Sequence, residues 1–331
     1  MSVALRRRAT QGSGGVGDED QAAALPRARL TLRRRRFLWG LLFVSPWIIS
    51  TLGLVLYPMG LSLYYSFTNY DIVGASQWVG LANYEGLMHD PEFTQSLENT
   101  LYLVVVMVPL SLVASLGYAL LLNQAVFGQR FFRTVLYLPQ MVPTVASAIL
   151  WIWVLNPTYG LVNTVLGWLH ITGPLWLSSI SWSKPAIVLM NLWGIGGAGV
   201  IFLAGLQGIS PSLVDAARVD GANVWQRFRH VTVPALSPLI LFNAIMGVLA
   251  AAQYFTQAFV MGGGDTGGSS IGLANSLQFA VVYLYEVAFA DLRVGYASAI
   301  GWVLFVMTLV VIAVLLRVSV RWVFYEGWRQ R

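Results

Sequence analysis

Cysteine is absent from this 331-residue chain, which excludes disulfides, thiol catalysis and thiolate metal sites. Charge is scarce as well. Asp, Glu, Lys and Arg make up only 10% of the residues, against roughly a quarter in an ordinary soluble domain. Hydrophobic residues account for 57%, and the mean hydropathy is +0.67. That balance excludes a water-soluble globular protein and describes an all-α polytopic membrane protein. Lysine occurs once, at Lys184, in Trp182-Ser-Lys-Pro185, and no GxxxxGK[ST] run exists, so the chain carries no phosphate-cradling P-loop. The three histidines, His89, His170 and His230, are scattered without metal-ligand spacing, and no metal is expected.

What is present is hydrocarbon-length sequence. Six apolar runs reach the roughly 20 residues that cross a core of about 30 Å, near 37–59, 99–122, 132–155, 185–207, 235–260 and 296–316. The segment 160–180 is apolar but broken by Gly167, Gly173 and Pro174, which predicts an interfacial or re-entrant piece. The net charge of +6 suggests nucleic acid only until the charges are located. Eighteen of the twenty Lys and Arg fall in residues 1–36, 123–133, 208–234 and the C-terminal tail. The other loops hold Lys184 and Arg293 beside Asp71, Glu85, Asp90, Glu92, Asp265, Glu286 and Asp291. The positive-inside rule then places both termini in the cytoplasm, with six helices between, and the basic residues serve topology and lipid headgroups rather than nucleic acid. Residues 1–36 form a basic tail without apolar periodicity, and 37–331 form the membrane domain. The first span is long and lacks a cleavage site, so it is read as a retained anchor rather than a signal peptide.

Within those six spans there is no Asp, Glu, Lys or His, and Arg133 sits at an edge. Ion-coupled carriers bind their coupling ion with ionisable groups at membrane depth, so a secondary transporter is disfavoured. An intramembrane hydrolase would need a nucleophile with a base, a carboxylate pair or a metal, and none is available. The glycine-rich run Gly262–Ser270 has no following lysine and falls on the outside, which fits a flexible loop. A channel would require polar pore rings. If the chain moves a solute uphill, another subunit supplies the energy.

One polar island interrupts this pattern, between about 208 and 234 on the cytoplasmic side. Ser210-Pro211 starts a helix, with serine as N-cap and proline at the first helical position. Asp215 falls in the early turns, where the helix dipole favours a carboxylate. Ala216 and Ala217 leave a surface without bulk. Gly221 suits a left-handed helix end, and Asn223 followed by Gln226 forms an N-cap pair for a second short helix. Trp225, Phe228 and Val231 recur at helical spacing as an apolar face, and Pro234 opens the fifth span. An amphipathic linker burying Trp225 and Phe228 among headgroups is the competing reading.

The run Leu206-Gln-Gly-Ile209, Asp215-Ala-Ala-Arg-Val-Asp-Gly-Ala-Asn-Val-Trp-Gln-Arg-Phe228 and Val231-Thr-Val-Pro234 resembles the EAA loop of permease subunits in binding-protein-dependent ABC importers. The flanks resemble the sugar-importer branch: Val79-Gly-Leu-Ala-Asn-Tyr84 with Phe93 and Asn99-Thr100, then Tyr283 to Ala299 with Phe289 and Gly295. The resemblance covers about 37–331 and fits the compact six-helix type, since the long outer insertion of maltose-type permeases is missing. Asp215 stands where the family usually has Glu.

The resemblance implies a type I ABC importer transmembrane domain in a prokaryotic cytoplasmic membrane, working by alternating access. Its partners would be a second homologous permease, cytoplasmic ABC ATPase subunits and an extracytoplasmic solute-binding protein. The chain would be no enzyme and hold no cofactor, since ATP and Mg would sit on the ATPase. Asp215, Ala216, Ala217, Asp220, Gly221, Phe228 and Pro234 would form the ATPase-coupling loop. Asn191, Gln253 and Tyr254, then Asn243 and Gln257, would line the solute path, with an interhelical hydrogen bond as each one's alternative role. The implied solute is a carbohydrate, favoured over glycerol-3-phosphate or another polyol derivative because no buried cation is visible in the spans.

Overall fold

The computed structural model describes residues 26–72, 74, 76–124, 128–263 and 272–323. The expected tail over 1–25, most of the glycine-rich loop and the basic C-terminus from 324 lie outside the described residues. The described chain is helical throughout, with a single antiparallel bridge between Thr68 and Trp78. It divides into two units, Met1–Leu61 and Ser62–Arg331. In the first, α1 (Pro26–Ser50) continues through a π-helical stretch, Thr51–Leu56, into α2 (Tyr57–Tyr65), whose last four residues are counted in the second. This helix begins at Pro26, inside the segment assigned to the tail.

The second unit carries α3 (Ala82–Met88), α4 (Pro91–Tyr102), α5 (Val108–Leu122), α6 (Gln129–Tyr137), α7 (Thr144–Val154), α8 (Leu161–Trp168), α9 (Ile180–Trp193) and α10 (Gly196–Gln207). It continues with α11 (Pro211–Val219), α12 (Val224–Arg227), α13 (Val233–Ala252), α14 (Thr256–Met261), α15 (Ala280–Tyr285) and α16 (Val294–Ser319). Four helices are long and apolar enough to cross a membrane: Arg34–Tyr65, Pro91–Leu122, Val224–Ala252 and Val294–Ser319. Two expected spans are bent pairs instead. Gln129–Met141 meets Thr144–Val154 at 105°, and Ile180–Trp193 meets Gly196–Gln207 at 49°. The sharper bend follows from Pro143, which removes an amide donor and pushes Val142 to an extended conformation (φ −75°, ψ 128°). Between 160 and 180 the chain forms only the eight-residue α8, about 12 Å long.

Glycine controls the packing around α10. A Cβ at Gly199 would overlap the Tyr118 ring, and one at Gly196 would overlap the Leu136 carbonyl. Gly205 admits Leu236 and Leu239 of α13 in the same way. Lipid supplies no hydrophobic drive between helices, so this close approach is what gives α5, α10 and α13 their dispersion contacts. The cluster they close contains Tyr118, Leu122, Phe202, Leu203, Leu206 and Leu236, all buried.

At the opposite end of the bundle a polar lattice ties distant segments together. The Asp90 carboxylate caps α4 by accepting from the Glu92 and Phe93 amides, and it also accepts from the Tyr283 (2.5 Å) and Tyr296 (2.8 Å) hydroxyls. Burial raises the Asp90 pKa, but those hydrogen bonds outweigh it and hold the group below its ordinary value. Burial and Asp90 together push the Tyr283 phenol upward. Asn83 donates to the Ser66 and Thr68 carbonyls. Asn99 donates to the Asn275 and Gln278 carbonyls, Thr100 accepts from the Ala280 amide, and Gln278 donates to Glu286. The flanking motifs 79–84, 99–100 and 283–299 therefore join one another and hold the fold.

Lys184 corrects one expectation. It is the fifth residue of α9 rather than a loop residue, and its ammonium donates to Asn99 Oδ1 at 3.0 Å, with the Tyr102 ring 5.4 Å away. The helix starts five residues before the predicted boundary because Ser179, in an extended conformation, precedes Ile180 directly, and α9 accepts Pro185 in its second turn.

Candidate functional site

The island between α10 and α13 is built by local chemistry. Pro211 occupies the first position of α11, where its missing amide costs nothing. Ser210 stands at the cap position, but its hydroxyl meets Ser212 Oγ at 2.7 Å instead of a backbone amide. The helix stops at Gly221, whose φ of +76° is the left-handed end. There the Ala222 amide reaches back to Ala217 O and the Gly221 amide to Arg218 O, the paired bonds of a Schellman termination. Asn223 and Gln226 then form a reciprocal capping box, both bonds 2.8 Å.

The second helix differs from the short separate element expected. Val224–Ala252 is one continuous helix. Pro234 does not open it but lies within it, after a π-helical stretch at Phe228–Thr232. Proline lacks the amide that would bind the His230 carbonyl, so the ladder widens here. Asp220 is the C-cap of α11, and Phe228 packs on Trp225 with ring centroids 5.5 Å apart.

No residue of α11 is buried. Asp215 and Arg218 form an exposed i,i+3 pair at 3.0 Å, a contact worth less than about 1 kcal/mol at the surface. Val219 is 87% exposed and Trp225 65%. Ala216 and Ala217 leave the helix flank low. Cavities of about 540 Å³ and 360 Å³ flank the island; Gly205, Leu213, Pro234 and Pro238 line the first, and Ala217, Gly221 and Arg227 the second, with His230 and Val231 shared. A rigid, self-terminated element with bare apolar side chains is suited to docking rather than to chemistry. Among the described residues no group of three His, Asp or Glu could hold a metal ion.

A separate cavity of about 380 Å³ lies between α5, α9, α10 and α13. Asn191 and Asn243 line it, together with Ser111, Ser115 and Gln140, which sequence reasoning missed. Ser111 and Ser115 are one helical turn apart, a polar stripe in an apolar helix that was available as a signal. Asn191 donates to Tyr254 Oη (2.9 Å) and to the Ile187 carbonyl (2.8 Å). Asn243 donates to the Leu239 carbonyl of its own helix. Gln140 accepts from the Gly197 amide at 2.8 Å. Gln253, at the end of α13, and Gln257, in α14, are not among the lining residues, and Tyr254 is buried behind Asn191.

An all-helical chain with four to six apolar segments of membrane-crossing length describes a multi-pass membrane protein. Residues 107–324 match the family described as the binding-protein-dependent transport system inner membrane component, and the chain belongs to that family. It is 38% identical over 297 residues to the "Probable ABC transporter permease protein YesP" of Bacillus subtilis (strain 168), covering 89% of this chain and 94% of the relative. It is 33% identical over 304 residues to the sulfoquinovosyl glycerol transport system permease protein SmoG of Agrobacterium fabrum, covering 91% and 96%. The lactose transport system permease protein LacF of Rhizobium radiobacter is 34% identical over 289 residues, covering 86% and 94%. The fold is similar, with a TM-score of 0.74 at 23% identity, to a chain of a bacterial ABC transporter involved in the import of the acidic polysaccharide alginate, over 89% of this chain and 99% of that one. Permease subunits of this family are not themselves enzymes, and they reside in the inner membrane.

Proposed function

We propose that the chain is the membrane-spanning subunit of an ATP-driven importer and translocates a carbohydrate by alternating access. The observation that carries the coupling half of this reading is the island: an exposed helix, stopped at Gly221 and restarted into a helix that runs unbroken through the membrane. A push on α11 passes through the Gly221 turn and the Asn223–Gln226 capping box into that helix. In this reading Asp215, Ala216, Ala217, Asp220, Gly221, Phe228 and Pro234 face a cytoplasmic ATPase, which binds ATP and Mg. Both termini are cytoplasmic, each bent pair makes one crossing to give six, and 37–331 acts as the membrane domain. A second permease and an extracytoplasmic binding protein complete the assembly. The solute path runs past Asn191, Asn243, Ser111, Ser115 and Gln140, uncharged groups suited to hydroxyls. The sugar solutes named for SmoG and LacF support the carbohydrate class.

In the assembled complex, Asp215→Lys and Gly221→Pro should leave the chain inserted while ATPase co-purification and uptake are lost. Normal assembly and transport in both variants would overturn the coupling role.

One observation favours an acidic carbohydrate as a second reading. The Lys184 ammonium pairs with no carboxylate among the described residues; it meets Asn99 and the Tyr102 ring. One relative is named for a sulfo-sugar solute, sulfoquinovosyl glycerol. If Lys184 attracts such a solute, Lys184→Met raises KM about tenfold for an oligogalacturonate and leaves a neutral oligosaccharide unaffected; equal effects on both would remove this reading.

A further inference from the structure

Three side-chain amides line the cavity of about 380 Å³ between α5, α9, α10 and α13: Gln140, Asn191 and Asn243. Their bonds within the chain decide which end of each amide is left for a solute. An amide oxygen can only accept, and an amide nitrogen carries two protons to donate. Asn191 Nδ2 donates both to the Ile187 carbonyl (2.8 Å) and to Tyr254 Oη (2.9 Å). Because the Ile187 carbonyl can only accept, the nitrogen has to face it and the oxygen has to face away. Among the described residues nothing donates to Asn191 Oδ1, and the atom is open rather than buried.

Asn243, on α13, repeats the arrangement. Its nitrogen donates to the Leu239 carbonyl at 2.9 Å, which turns its oxygen the other way. Gln140 has the opposite sense. Its Oε1 accepts from the Gly197 amide at 2.8 Å, so its nitrogen is the free end, with two protons to give. Gly197 permits this, because a Cβ there would overlap the Gln140 side chain. Tyr254 holds the polarity of Asn191 in place. The residue is buried, and its ring meets Phe279 edge-on with centroids 5.5 Å apart, so its hydroxyl stands where Asn191 finds it.

We propose that the cavity reads a sugar by fixed hydrogen-bond polarity: Asn191 and Asn243 accept from its hydroxyls, Gln140 donates to one of its oxygens, and Tyr254 is the positioning residue for Asn191. The proposal rests on the reading of this cavity as part of the solute path. Two open acceptors select free hydroxyls, which can donate. An ether, a fluorine or a carboxylate in the same place sets lone pairs against lone pairs and leaves the amide oxygen unpaired. Lys184 is not in this lining; it lies seven residues earlier on α9, about 10 Å along the helix. An acidic solute would therefore keep its charge outside the cavity and present a neutral ring here.

Binding measured without the extracytoplasmic protein isolates the contribution of this chain. The complex with the second permease and the ATPase, in nanodiscs, would be titrated with lactose, maltose and cellobiose by saturation-transfer NMR. A sugar that binds would then be compared with its monofluorinated congeners, each hydroxyl replaced in turn. Fluorine removes the donor and keeps an acceptor of similar size. In wild type at least one such replacement should weaken binding about tenfold. Asn191→Leu should bind the parent sugar and that congener alike, and Tyr254→Phe should narrow the gap although Asn191 is still present. Gln140→Leu should weaken both and leave the gap intact. If Asn191→Leu weakens parent and congener in equal proportion, Asn191 serves the fold alone and the proposal is overturned while the sugar path stands. If none of the three sugars binds, the path reading fails and takes the proposal with it.

Discussion

The Asp90 lattice and the island at 208–234 are both polar features of a greasy chain, and they are built in opposite ways. Every bond that shapes the island closes within six residues: Gly221 to Arg218, Ala222 to Ala217, Asn223 to Gln226. The bonds of the lattice cross the chain, from Asp90 to Tyr296 and from Asn99 to Gln278. The lattice is shared among helices and loops, so it holds the bundle together. The island shapes itself and leaves its surface free for another molecule. Local construction therefore suits an element that must move as a unit, and long-range construction suits one that must not.

Breaking the lattice should cost the most stability. Gly295→Val would force a side chain into the Thr68 carbonyl and the Tyr70 amide, backbone atoms that cannot yield. We expect a loss of about 3 kcal/mol or more, read as a large drop in the melting temperature of the purified chain. A melting temperature within a degree of wild type would show that this contact is slack.

Gly221→Pro should show the converse pattern. Proline cannot adopt the φ of +76°, so the Schellman turn is lost, yet no core residue is touched. Melting should change little while ATPase co-purification fails. A collapse in melting temperature would instead mean that the island supports the bundle.

The smallest effect is a pH dependence at Asp90. Its folded pKa lies below the ordinary value of 3.8, so the unfolded chain takes up the proton first. The stabilisation is present above that ordinary value and is lost as pH falls through it toward the folded pKa. Asp90→Asn should flatten the acid limb of melting temperature against pH below about pH 5; an unchanged slope would remove Asp90 from the account.

These two constructions also explain what could be read in advance. Pro211, Gly221 and the Asn223–Gln226 pair announce their geometry because the relevant atoms are sequence neighbours. Ser210 announced a cap and made a different bond, since a hydroxyl two residues away competed for it. The lattice was visible only as motifs of unassigned purpose, because nothing local links Asp90 to Tyr283. Lys184 was set in a loop because hydropathy marks where apolar sequence begins, whereas α9 starts at Ile180, before the polar residues end. The bend at Val142 carried a proline signal that run length outweighed.

The π-helical stretch at Phe228–Thr232 has a directional consequence. It holds one residue more than the regular ladder needs, and a residue subtends about 100° around a helix axis. The compass heading of α11 relative to the membrane crossing is therefore set by a single surplus residue. Removing it would leave the side chains of α11 as they are and turn them all to face another way.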